Sequence, residues 1–165
     1  MGKADLFSII DIETTGGSAR ANKVIEIAIV NIDGDKIVDT YSTLIYPERR
    51  IPPQISYLTG ITEDMVAGAP KFYEVAKKIV QMTEDRIFVA HNVHFDYSFI
   101  QHEFRELGFT YKRELLCTVR LSRKIIPGLA SYSLGKLCKD VGIDLPEKDR
   151  HRAMGDAKAT AELFQ

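Results

Sequence analysis

The sequence between residues 7 and 16 is Phe7-Ser8-Ile9-Ile10-Asp11-Ile12-Glu13-Thr14-Thr15-Gly16, an apolar run that ends in two acidic residues. Side chains alternate along a β-strand, so the carboxylates of Asp11 and Glu13 are expected to emerge on one face. Neighbouring carboxylates repel each other and lose hydration when partly buried, so a cation is needed between them. The pattern predicts a strand end that holds a divalent metal ion; the alternative is a pair of solvated acids.

The apolar run at residues 6–12 and a second run at 24–32 are nearly continuous and rich in Ile and Val. This composition is typical of strands that are buried on both faces, so both are expected at the centre of a sheet. Asp33-Gly34 signals a tight turn, and residues 36–46 alternate well enough to return as an antiparallel strand. The first three elements therefore predict a β-meander.

The rest of the chain alternates between strand and helix patterns, after a proline-rich connection at residues 47–62 that is unsuited to a long helix. Strand candidates lie at 86–90 and 114–118, and helical spacing is found at 72–80, 92–107, 121–125, 133–141 and 153–164. Asn92 is expected to be the N-cap of its helix, which places Asp96 in the first turn. This order predicts an α/β fold with a mixed five-stranded sheet flanked by helices.

Length and composition fit one globular domain, because 165 residues with 45% hydrophobic and 27% charged residues can bury a sizeable core. The start has no signal-peptide pattern, and no apolar stretch approaches the roughly 20 residues that span a bilayer. A cytoplasmic protein is therefore expected. The last helical pattern still continues at Gln165, which predicts that residues 1–165 are a single domain cut from a longer protein.

The charge balance bears on possible partners. A net charge of -1 argues against a broad basic face for duplex nucleic acid but allows an enzyme that holds a short strand end. The basic clusters are interpreted as solvated surface, and they comprise Arg113, Arg120, Arg123, Lys124, Lys148, Arg150 and Arg152. Cys117 and Cys138 form no C-x-x-C pattern and are expected to be reduced core thiols. Neither a G-x-G-x-x-G turn nor a Walker A loop is present.

Acidic residues recur in two later segments, each at the start of a predicted helix. Together the three segments read Asp-x-Glu-Thr-Thr-Gly at 11–16, Asn-x-x-Phe-Asp-x-x-Phe at 92–99 and His-x-Ala-x-x-Asp-Ala at 151–157. In this order they resemble the three motifs of the DEDDh family of 3′-to-5′ exonucleases. That family includes the proofreading subunit of bacterial DNA polymerase III, the exonuclease domain of Gram-positive replicative polymerases, ribonuclease T and oligoribonuclease. The resemblance covers almost the whole chain.

The resemblance implies a ribonuclease H-like fold and assigns family roles to individual positions. The metal-binding acids would be Asp11, Glu13, Asp96 and Asp156, and His151 would be the general base. Residues 58–62 match the Leu-Thr-Gly-Ile-Thr segment of the family, which in relatives lies near the terminal nucleotide. The substrate-side residues implied in the same way are Thr14, Thr15, Gly16, Leu58, Asn92 and Phe95. At its helical spacing, Phe95 can also be read as a core residue.

Physical chemistry supports these residue types independently. Carboxylate oxygens suit Mg²⁺ or Mn²⁺, and two such ions on the order of 4 Å apart can clamp the attacking and leaving oxygens of an in-line displacement. His151, with an ordinary pKa near 6.5, can accept the proton of the attacking water around neutral pH. The expected product is a nucleoside 5′-monophosphate.

The expected substrate is the 3′ end of single-stranded DNA, in replication proofreading or repair, because Thr14-Thr15 and residues 58–62 resemble the polymerase-associated branch. A polymerase or a further domain of the same protein is the expected partner, and no membrane is involved. One alternative is an exoribonuclease of the ribonuclease T or oligoribonuclease type.

Two further alternatives fit less well. A phosphatase with an aspartate nucleophile uses Asp-x-Asp-x-Thr, from which Glu13 departs. A non-catalytic nucleic-acid-binding module would be expected to have lost some of these acids, and all four are present together with His151.

Overall fold

The computed structural model describes residues 5–165, in which five strands form one sheet. The strands are β1 (Leu6–Thr14), β2 (Val24–Asp33), β3 (Lys36–Leu44), β4 (Ile87–Ala90) and β5 (Leu115–Cys117). Their order across the sheet is β3-β2-β1-β4-β5. The first three strands pair antiparallel, whereas β4 and β5 run parallel to β1. The predicted meander followed by parallel strands is confirmed.

The two Ile/Val-rich strands lie at the centre of the sheet, as their composition predicted. Every residue of β2 except the last is buried, and β1 lies between β2 and β4. By contrast β3 is an edge strand with mostly exposed side chains. This asymmetry agrees with the alternating, more polar sequence of β3.

Seven helices connect and cover the strands within the described part of the chain. They are α1 (Pro53–Thr59), α2 (Glu63–Ala67), α3 (Phe72–Thr83), α4 (Val93–Glu106), α5 (Thr118–Ile125), α6 (Leu134–Val141) and α7 (Ala153–Phe164). A short 3₁₀ turn at Glu147–Asp149 was not predicted. The proline-rich connection forms only the short helix α1, in agreement with its turn-rich sequence, and the short helix α2 follows it. From residue 5 onward, no helix combines the length and the apolar character that crossing a membrane requires.

The helix boundaries follow the capping signals. Helix α6 ends at Val141 and is capped by Gly142, which adopts the left-handed conformation with φ of 80° that glycine tolerates. Asn92 occupies the predicted N-cap position of α4, with φ of 68°. Within the described residues, however, its side chain accepts no capping hydrogen bond. The position was therefore predicted correctly, but the side-chain bond was not.

Helices cover both faces of the sheet. Aromatic and aliphatic side chains of α3 and α4 pack against one face, which includes Ile10 and Ile12. On the opposite face α7 presents Ala153, Ala157 and Ala161 to Ile9 and its neighbours. Because alanine side chains are small, α7 lies close to the strands. This close approach brings the start of α7 to the end of β1.

Candidate active site

Three acidic side chains from two distant segments meet at the carboxyl end of β1. Asp11 and Glu13 alternate with Ile10 and Ile12, so they emerge on the face that α7 covers. Asp156 lies in the first turn of α7. Ligand oxygens of Asp11, Glu13 and Asp156 all lie within 4.8 Å of one another. The predicted convergence of the first and third motifs is therefore present in the structure.

Asp96 reaches the same strand from α4 but lies outside this group of three. It is buried, and its Oδ1 accepts a hydrogen bond from the backbone N–H of Ile12 at 3.2 Å. This bond is possible because β4 pairs with β1 only over Phe7–Ile9, so β1 continues beyond the end of β4. Asp96 therefore adjoins the short segment that carries Asp11 and Glu13.

Burial and nearby negative charge disfavour ionisation of the four carboxylates. Burial, followed by the charges of Asp96 and Glu13, raises the pKa of Asp11 well above its usual range. Burial and the charge of Asp156 raise the pKa of Glu13 to about 8. Burial also raises the pKa of Asp156 to about 6, and burial raises the pKa of Asp96. Full ionisation of this cluster at neutral pH therefore requires additional positive charge.

The donor set fits a hard divalent cation. All the converging groups are carboxylates, and hard cations such as Mg²⁺ and Mn²⁺ prefer oxygen ligands. One oxygen of Asp11, Oδ2, is buried and receives no hydrogen bond from residues 5–165. A buried carboxylate oxygen without a partner is costly, and coordination of a cation would remove that cost.

Neutralising Glu13 is expected to stabilise the metal-free protein. The pKa of Glu13 rises from its ordinary value of 4.5 to about 8 on folding, so the folded state holds the proton more tightly than the unfolded state. Stability contributed by this protonated form is therefore present at low pH and is lost as the pH rises from about 4.5 to about 8. Glu13→Gln should raise the free energy of unfolding by about 2 kcal/mol near neutral pH and have little effect at pH 4.

Urea unfolding in EDTA at both pH values measures this effect. Glu162→Gln, at an exposed position in α7, is the matched control and should leave stability unchanged. Equal or lower stability of Glu13→Gln near neutral pH would show that the cluster is not under electrostatic repulsion.

His151 lies two residues before the start of α7, in a left-handed backbone conformation with φ of 56°. Its backbone N–H donates a hydrogen bond to Oδ2 of Asp156 at 3.1 Å, and this bond links the histidine and the aspartate of the third motif. Burial, followed by the positive charge of Arg150, lowers the pKa of the His151 imidazole below 6.5. The side chain is therefore mainly neutral at pH 7.

Two residues beside the cluster were not predicted. Glu26 lies opposite Glu13 in the β1–β2 register and is buried. Its Oε1 accepts the N–H of Ala153 at 2.7 Å, and its Oε2 accepts from the Arg152 guanidinium at 2.7 Å. Glu26 thus anchors the start of α7 to the sheet. The only sequence signal was a carboxylate inside an otherwise apolar run, and Arg152 was interpreted as solvated surface.

The first motif continues into a turn in which side-chain hydroxyls bond to the backbone. Thr14 donates to the carbonyl of Gly16 at 2.7 Å. The hydroxyl of Thr15 donates to Oδ1 of Asn22 at 3.1 Å and accepts from the N–H of Lys23 at 3.0 Å. A Cβ on Gly16 would lie 2.5 Å from the same Asn22 oxygen, so a larger residue at this position would displace the Asn22 side chain. These residues shape the rim beside Asp11 and Glu13.

The remaining predicted substrate-side residues differ in exposure. Leu58, on α1, has 50% of its surface exposed, and Asn92 is also exposed. Phe95 is half-buried and packs on Phe99 with ring centroids 5.0 Å apart, so part of it belongs to the core. Their contacts with a substrate stay predictions.

Comparison with known proteins identifies similar sequences and folds. Residues 8–164 match the profile of the family described as exonuclease, of the RNase T type. The chain is 40% identical over 161 residues to the PolC-type DNA polymerase III of Clostridium perfringens, covering 98% of this chain. It is 38% identical over 159 residues to the DNA polymerase III subunit epsilon of Aquifex aeolicus, covering 96% of this chain.

A solved structure of Exonuclease X in complex with 5′ overhanging duplex DNA superposes with a TM-score of 0.79 at 33% identity. The superposition covers 96% of this chain and 88% of that chain, which confirms the predicted ribonuclease H-like architecture. The chain spans 11% of the length of the PolC-type relative and 78% of the epsilon subunit.

Proposed function

We propose, from the premise that this chain belongs to the DEDDh family of 3′-to-5′ exonucleases, that it removes nucleotides one at a time from the 3′ end of single-stranded DNA. The observation that carries the proposal is the convergence of Asp11, Glu13 and Asp156 within 4.8 Å, with Asp96 bonded to the intervening Ile12. The products would be nucleoside 5′-monophosphates.

The four acids would hold two divalent cations, Mg²⁺ or Mn²⁺. Asp11, Glu13 and Asp156 form the group that best fits one ion, and Asp96 would contribute to the second together with Asp11. When bound, such ions acidify the attacking water and offset the negative charge of the scissile phosphate. The unpartnered oxygen of Asp11 and the raised pKa values of the cluster support this assignment.

His151 is proposed as the general base that accepts the proton of the attacking water. Its lowered pKa keeps the imidazole in the neutral, proton-accepting form around pH 7. Its backbone bond to Asp156 couples the position of the base to that of a proposed metal ligand.

Glu26 is proposed as a positioning residue, because it acts on His151 and Asp156 through the start of α7. Glu26→Gln would weaken the paired hydrogen bonds from Arg152 and the charge-assisted bond from Ala153 N–H. We expect kcat to fall by about tenfold, with a smaller change in KM. Arg152→Lys, which keeps the charge but not the paired geometry, should lower kcat by a similar or smaller factor. An unchanged kcat in both variants would limit Glu26 to a structural role.

The choice of DNA and the replication role rest on the relatives. The epsilon subunit and the PolC-type enzyme are DNA polymerase III proteins, and both match nearly the whole chain. This favours a proofreading or repair exonuclease that works with a polymerase or a further domain of the same protein. The prediction that residues 1–165 form one domain of a longer protein stays a prediction.

The direct test is digestion of matched single strands of DNA and RNA, labelled at the 5′ end, in the presence of Mn²⁺ or Mg²⁺. Stepwise shortening of the DNA ladder from the 3′ end, with slower RNA digestion, is expected. Asp11→Ala should leave both strands intact. Preferential RNA digestion would favour the exoribonuclease alternative, and intact strands with the wild-type chain would favour the non-catalytic module.

A further inference from the structure

Two adjoining cavities, one at the carboxyl ends of β4 and β5 and one along β5, form a groove with a positive lining. Their volumes are about 610 Å³ and about 380 Å³, and they share His94, Cys117 and Arg120. Arg120, Arg123 and Lys124 project from α5, and all three are exposed. None of the described residues that line the two cavities is Asp or Glu, although the whole chain has a net charge of -1. Positive charge is therefore concentrated here.

The groove and the acidic cluster lie at the same end of the sheet. Because β1, β4 and β5 are parallel, their carboxyl ends lie at the same edge of the sheet. Neighbouring strands are about 4.8 Å apart, so β5 lies roughly 10 Å from β1. Asn92 lines the groove and directly precedes α4, whose Asp96 bonds to Ile12. A strand with its 3′ end at Asp11 can therefore continue into the groove.

One wall of the groove is held in place by hydrogen bonds. Nε2 of His91 lies 2.7 Å from the carbonyl of Tyr132, which can only accept, so this nitrogen carries the proton. Nδ1 of His91 lies 2.8 Å from the hydroxyl oxygen of Thr118. The Tyr132 hydroxyl in turn donates to the carbonyl of Ile126 at 2.7 Å. The segment that carries Tyr132 is thus fixed against the ends of β4 and α5.

The same wall places an aromatic ring beside the cations. Tyr132 is half-buried and lines the groove, and the Arg123 guanidinium lies 5.5 Å from its ring centroid. Cationic side chains that follow a backbone, combined with aromatic rings on which bases stack, are the usual means of holding single-stranded nucleic acid. The groove has both elements.

We propose that this groove binds the nucleotides upstream of the scissile 3′ end, with Arg120, Arg123 and Lys124 contacting their phosphates. The proposal rests on the proposed function, since it places the rest of the same strand. The occupant is a single-stranded nucleic acid, because an array of exposed cations without carboxylates complements a polyanionic backbone. Such a local array of cations would allow a chain with a net charge of -1 to hold more than one nucleotide.

The test compares a strand with a substrate that cannot reach the groove. The triple variant Arg120→Gln/Arg123→Gln/Lys124→Gln is assayed on ~15-nucleotide single-stranded DNA and on the p-nitrophenyl ester of thymidine 5′-monophosphate, which has no upstream phosphate. We expect the ratio of kcat/KM for the strand to that for the ester to fall about tenfold or more. The slope of log kcat/KM for the strand against log salt should become shallower by about 2.

The control removes the same charge elsewhere through Lys77→Gln/Arg105→Gln/Lys112→Gln, at exposed positions outside the groove. This triple variant should keep the wild-type ratio and salt slope. If the groove variant also keeps them while both substrates are hydrolysed, the groove proposal is overturned and the proposed function stands. If the wild-type chain hydrolyses neither substrate, the proposed function itself fails.

Discussion

Asp11→Asn is expected to lower kcat/KM for single-stranded DNA by about 10³-fold or more, because it removes a charged ligand where electrostatic stabilisation of the reaction is concentrated. The same substitution should raise the melting temperature of the metal-free protein by a few degrees, about 3 °C at pH 7.5. The reason is that burial and neighbouring carboxylates oppose ionisation of Asp11, and the amide carries no charge. A variant that is inactive but more stable would show that the carboxylates of the metal-free site destabilise the folded protein and that their function requires bound cations.

Steady-state digestion and thermal unfolding in EDTA measure the two halves of this prediction. Asp144→Asn changes an exposed aspartate in the same way and should alter neither quantity. A variant at Asp11 that keeps most of its activity would remove this residue from the proposed metal site. One that is inactive but less stable would indicate a mainly structural role.

His151→Asn is expected to lower kcat by about 10²-fold to 10⁴-fold with little change in KM, because the variant loses the proton acceptor but not the metal ligands. Asparagine suits this position, since it tolerates the left-handed backbone that His151 adopts. The backbone bond to Asp156 should therefore survive the substitution. His102→Asn, on α4, is the control and should be fully active.

The pH profile separates a general base from a merely structural histidine. The pKa of His151 is lowered, so at saturating Mn²⁺ the wild-type rate should stay high to below pH 6.5 and then fall as the imidazole is protonated. The variant should lack this acid limb. A wild-type rate without such a limb, or a variant that keeps it, would contradict the assignment of His151.

Local pattern was sufficient to predict the strand that carries the first two acids. Alternation places Asp11 and Glu13 on one face, and the helical starts at Asp96 and Asp156 follow from capping and periodicity. The prediction that the four acids converge depended on the family resemblance, because no local sequence pattern indicates that α7 packs beside β1. In the structure the small side chains of α7 supply the physical reason.

Interactions between residues far apart in sequence were the ones that local reasoning missed. Glu26 and Arg152 form an ion pair although they are 126 positions apart in the sequence, and no periodicity or capping signal predicts this contact. The basic residues of α5 likewise look like ordinary solvated charge in the sequence. Only the fold places Arg120 and Arg123 near Tyr132, at the end of the sheet where β1 carries Asp11.

The first motif shows a second limit of prediction from the sequence. Thr14 and Thr15 were predicted to face substrate, and the structure shows both hydroxyls bonded within the adjoining turn. A threonine side chain that holds a turn and one that contacts a ligand have the same sequence pattern. Substrate contact by these residues therefore stays a prediction, whereas their role in the turn is visible.

Titration of Mn²⁺, followed by the loss of the free-ion electron paramagnetic resonance signal, tests the central claim most directly. With thymidine 5′-monophosphate present, the wild-type chain should bind about two Mn²⁺ ions, and Asp156→Asn should lose at least one of them. Asp144→Asn should bind as the wild-type chain does. Absence of Mn²⁺ binding by the folded wild-type chain, at millimolar nucleotide and metal, would contradict the account.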